Sequence, residues 1–204
     1  MKGQSVAQVA GACNRRALTI SRGAHVMKLY NRTKLDTKLL HKVLAAAGKA
    51  VGARTSKVVV EVVPRRAWGT TGEAWQCCCF RVGKRWIRTD GGGFVIRIPC
   101  NWLKNRSDAS DYVCGRAEGF FETAMHEWVH IRDFQDGGQD FKYRRTGSSR
   151  RMNWKDRPQE QRAESVVHLA ESEGVYEKHE ELLFELALVL EEYALNEDGK
   201  GAMI

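Results

Sequence analysis

Apolar residues recur every three to four positions between Lys34 and Val51, where Leu35, Leu39, Leu40, Val43, Leu44 and Ala47 share one stripe. That period predicts an amphipathic helix, and Gly52 closes it. The period then changes: Val58, Val59, Val60, Val62 and Val63 form a β-branched run ended by Pro64, which predicts a strand. Trp75 to Val82, Arg85 to Arg88 and Phe94 to Ile98 follow as shorter strand-like runs. Gly83-Lys84 and Asp90-Gly91-Gly92-Gly93 lie between them as turn signals, a spacing that suggests an antiparallel meander. Helical spacing returns with Phe120, Ala124, Trp128 and Ile131. Farther on, Asp156 fits an N-cap, with Gln159 three residues later and Pro158 in the first turn, so another helix starts there. It continues through Val166, Val167 and Ala170 to Gly174. A last helix from Val175 to Leu195 carries Leu182, Leu183, Leu186, Leu190 and Tyr193, either as core cladding or as a partner surface. Ala17 to Ile20 and Val26 to Tyr30 fit short strands or an arm. The expectation is an α+β chain, with residues 1–33 as an N-terminal arm or short strands and 34–204 as a single domain.

Composition narrows this little but usefully. At 204 residues and 43% hydrophobic content the chain can bury one substantial core. It has no run of eighteen apolar residues and no signal-peptide core near its start, so the expectation is a cytoplasmic protein with no membrane partner. Cys77, Cys78 and Cys79 are consecutive in an apparent strand; alternate side chains point to opposite faces, so they do not form one metal cage. Cys13, Cys100 and Cys114 are scattered, which fits free thiols in a reducing compartment. The net charge of +8 hides an asymmetry. Residues 1–90 carry 18 Lys+Arg against 4 Asp+Glu, and residues 91–204 carry 15 against 21. The basic N-terminal half suits nucleic acid or another polyanion, or else a solvated surface beside the acidic C-terminal helix.

The candidate chemistry lies in His126-Glu127-Trp128-Val129-His130. Two imidazoles four residues apart on a helix leave from one face about a turn apart, as a shared metal ion requires. His126, His130 and Asp133 fall opposite the stripe of Phe120, Ala124, Trp128 and Ile131, and Glu127 between the histidines is placed to act as a general base. Asp133 is either a support for the site or a solvated carboxylate near the helix end. A catalytic metal needs a third protein ligand. Glu160 and Glu164 share a face of the following helix, His168 lies deeper in it, and Asp136 stands six residues after His130. That last spacing is the metzincin one, HExxHxxGxxH/D, but Asp133 occupies the glycine position where that helix must turn sharply. Tyr143, in the polar segment 137–153, is a candidate oxyanion donor.

A helix with HExxH followed by a second helix with Glu-x-x-Ala-Glu, here Glu160 to Glu164, resembles the zincin-type zinc metallopeptidases, and specifically their gluzincin-like branch. The likeness rests on these two motifs and the order of elements, and does not extend to the rest of the chain. It implies a minimal zincin-like fold: an N-terminal helix and a small, mainly antiparallel sheet packed on the HExxH helix, then C-terminal helices. It implies one Zn²⁺ per chain held by His126, His130 and Glu160, with Glu164 supporting a histidine. Glu127 would be the general base in hydrolysis of a peptide or protein substrate. It also implies an edge strand lining the cleft, for which Phe94 to Ile98 is the candidate, able to take an extended peptide by strand addition. Two other readings fit the basic half: a nucleic-acid-associated protein built on such a scaffold, and a protease acting on DNA-bound proteins.

Overall fold

Asp36 starts the first helix by accepting a hydrogen bond from the Leu39 amide at 2.7 Å, which satisfies one of the donors a helix start leaves open. The computed structural model describes residues 27–64, 72–77, 79–82, 85–89, 93–100, 114–137 and 156–198. In it α1 (Thr37–Ala50) buries the expected stripe of Leu39, Leu40, Val43, Leu44 and Ala47. This helix is the crossover between two parallel strands, β1 (Lys28–Asn31) and β2 (Val58–Pro64). β1 therefore realises the short-strand option for Val26 to Tyr30. Ala17 to Ile20, Tyr143 and the turns at Gly83-Lys84 and Asp90 to Gly92 lie outside the described residues.

The sheet corrects the mainly antiparallel expectation. β2 pairs in parallel with β6 (Phe94–Cys100) as well as with β1, and only β3 (Glu73–Gln76) runs antiparallel, on the far side of β6. The order is β1-β2-β6-β3. Phe94 to Ile98 is thus interior, and β3 takes the edge place beside it. Trp75 to Val82 is not one strand but the end of β3 and then β4 (Cys79–Val82), which forms a separate antiparallel hairpin with β5 (Arg85–Arg88). Phe80 of this hairpin packs on Val59 and Val95, and so covers one face of the sheet. Val58, Val60, Val62, Ala74, Ile96 and Ile98 fill the other face and meet the helices.

Those helices gather around α2 (Cys114–Gln135), which contacts α1, β3, β6, α3 (Pro158–Ser172) and α4 (Glu180–Asp198). α2 is accordingly not a surface helix with one wet side. Phe120, Phe121, Ala124, Met125, Trp128, Val129 and Ile131 are buried, and so are Glu127, His130 and Asp133. Gly48 of α1 lets the backbone approach Trp128 closely, since a Cβ there would lie 3.0 Å from the indole. Among the described residues no helix is long and apolar enough to cross a membrane.

Candidate metal centre

The HExxH helix and α3 bring three of the expected residues to one point. His126 Nε2 lies 3.0 Å from Glu160 Oε2, His130 Nε2 lies 3.3 Å from the same oxygen, and the two nitrogens are 3.2 Å apart. Ligand atoms about 2.0–2.2 Å from a tetrahedral zinc stand roughly 3.3–3.6 Å from one another. The three donors therefore converge nearly as such an ion requires, and two imidazole nitrogens with a carboxylate oxygen are a donor set suited to zinc.

The start of α3 places Glu160. Arg157, not the expected Asp156, occupies the cap position and makes no side-chain capping bond, while Pro158 opens the helix. Glu160 falls in the first turn, where the helix dipole favours an anion, and points at the histidines. Burial alone would push its carboxyl up. The hydrogen bonds and positive charge of His126 and His130 outweigh that and bring it down to about 2.

Glu127 has the opposite environment. Burial raises its carboxyl to about 7 against the pull of His130 and His126, and the charges of Glu160 and Glu73 add to the rise. The strand beside it closes tightly: a Cβ on Gly72, just ahead of β3, would sit 2.5 Å from Glu127 Oε1. Only a glycine leaves that carboxyl its place. Gly72 passed unremarked in the sequence because its role depends on a contact 55 positions away along the chain.

Asp133, one turn past His130, is buried and receives the Arg162 Nε at 2.9 Å, with Arg132 Nε at 3.6 Å. This ties α2 to α3 two residues beyond Glu160. The sequence suggested Asp133 but offered no signal for Arg162. The other ligand candidates stand elsewhere. Asp136 is exposed and faces Arg54 at 3.4 Å. His168 is exposed and bonds Glu171 at 2.9 Å. Glu164 is half-buried and lies near Glu122 and His168, outside the converging group. α2 runs through Asp133 to Gln135, so the sharp turn of the metzincin pattern does not occur. Gly137, at φ +68, ends the segment instead.

No protein-family model, curated protein or solved structure matches this chain. Its chemistry has to be read from the site.

Proposed function

We propose that the protein is a zinc-dependent metallopeptidase. The observation that carries this reading is the convergence of His126, His130 and Glu160 within 3.0–3.3 Å, with a buried Glu127 on the same helix as the two histidines. A zinc ion held by these three would polarise a carbonyl oxygen and acidify a water at the open position. The chain's own contribution is proton handling and order. Glu127, whose carboxyl burial raises to about 7 in the metal-free chain, would take a proton from an attacking water and return it to a leaving amine. Its burial against Gly72 keeps it in one place and excludes bulk water from it. Glu160 stays anionic at any working pH, so that ligand needs no proton removed. β3 runs alongside Glu127 and is the element best placed to align an extended peptide.

Two measurements test this together. Purified wild type should carry about one zinc per chain, Glu160→Ala should lose it, and Asp136→Ala should keep it. Glu127→Gln should keep zinc and lose hydrolysis of a protein substrate such as casein. Zinc lost from Asp136→Ala alone, or full proteolysis by Glu127→Gln, would overturn the assignment.

A further inference from the structure

The sheet has a second side, across from α2, which the β4–β5 hairpin covers. In the β4–β5 hairpin the register sets Phe80 opposite Ile87 on the inner face, and Arg81 opposite Trp86 and Cys79 opposite Arg88 on the outer. The inner pair packs toward Val59 and Val95. Trp86 is 71% exposed, more than any other large apolar side chain among the described residues. Arg81 and Arg88 are exposed on the same face as Trp86, and no acidic residue occurs between Cys79 and Arg88.

Behind the hairpin, the sheet's charges are held in pairs. Glu61 is wholly buried on that face between Arg97 Nε at 2.7 Å and Arg32 Nη1 at 3.2 Å, and Glu73 is the register partner of Arg97 on β3. Arg97 also donates to the Arg81 carbonyl at 3.4 Å, which joins the hairpin to β6. The outer face of the hairpin therefore presents two arginines with an exposed indole between them.

Each feature selects a partner. Clustered arginines match phosphates, and a field of one sign draws a polyanion. The exposed indole offers a face on which an unpaired base can stack, which a duplex does not present. A bilayer would need a wider apolar face than one tryptophan on a short hairpin. We propose that the outer face of the β4–β5 hairpin binds single-stranded nucleic acid, with a base stacked on Trp86 and flanking phosphates held by Arg81 and Arg88. This goes beyond the metal-centre reading and stands without it, because the two surfaces lie on opposite sides of the sheet.

The test uses the full chain with fluorescently labelled single-stranded DNA, single-stranded RNA and duplex DNA of about twelve residues, read by anisotropy over a salt series. Binding to a single strand should weaken steeply with salt. Trp86→Ala should weaken it about tenfold or more, and Trp86→Phe should recover most of that loss. Arg81→Ala with Arg88→Ala should flatten the logarithmic salt slope by about 1.4, as expected for two phosphates on a single strand. Zinc content and melting temperature should not change in any of these variants, which separates loss of the surface from loss of the fold. Binding of only one of the two single strands supports the proposal and identifies which sugar is read. The proposal is overturned by no binding at low salt, by duplex bound as tightly as single strands, or by Trp86→Ala binding like wild type.

Discussion

Glu127 and Gly72 show how one residue's chemistry is set by another's absence of bulk. The Glu127 carboxyl rises from 4.5 to about 7 because it is buried. A carboxyl that holds its proton more tightly when folded favours folding below 4.5, and that contribution is lost as pH rises from 4.5 through 7. The gap corresponds to roughly 3 kcal/mol. Metal-free wild type should therefore lose stability relative to metal-free Glu127→Gln between about pH 4.5 and 7, since glutamine carries no charge to desolvate. Urea unfolding of both proteins at pH 5 and pH 8 measures this; equal differences at the two pH values would contradict the buried, ionising carboxyl. Gly72→Ala acts on the same group sterically. Its Cβ would displace a carboxyl oxygen 2.5 Å away, and a shift of that kind costs on the order of a hundredfold in rate. The expected outcome is a large fall in kcat with zinc content unchanged.

Between elements, the pairing of α2 with α3 decides whether Glu160 meets the histidines. Asp133 and Arg162 fasten that pair at 2.9 Å, three residues past His130 on one helix and two past Glu160 on the other. Arg162→Met leaves Asp133 buried without that partner. Arg162 is itself more than half exposed, so solvent screens the pair and the loss should be about 1–2 kcal/mol. Zinc affinity should fall about tenfold, since partners that orient ligands typically change affinity by 10–100-fold, and Arg162→Lys should restore part of it. A competition titration against a chelating dye reads this; unchanged affinity would make the pair a stability feature only. The sequence carried much of this level. The stripe of α1 and the period of α2 each depend on local spacing, and both were legible. The parallel sheet was not read, although its signal was present: five valines in six positions of β2, broken only by Glu61, mark a strand buried on both faces. Turn spacing between β4 and β6 suggested a simple meander, whereas strand order depends on pairings across 36 positions that no local pattern encodes.

For the whole molecule, the three residues that could hold a metal come from two helices, so under the proposed reading binding should act as a staple across the core. α2 supplies His126 and His130, α3 supplies Glu160, and α2 also carries the contacts to α1, α4 and the sheet. Whatever holds α3 to α2 therefore also fixes α3 to the core that α2 centres. A ligand that binds only the folded state stabilises it by about 4 kcal/mol when present at a thousand times its dissociation constant. For a chain of this size, 1 kcal/mol moves the melting temperature by roughly 2–4 °C. Stripping zinc with a chelator should then lower the melting temperature of wild type by about 10 °C, and returning zinc should restore it. Glu160→Ala should show almost no response to either treatment, because the three-ligand set is broken even though its helix remains. Trp86→Ala should respond as wild type does, since the hairpin lies on the other side of the sheet. Calorimetry of the three proteins with and without chelator distinguishes a metal that staples α2 to α3 from ions bound loosely at the surface, for which all three would respond alike.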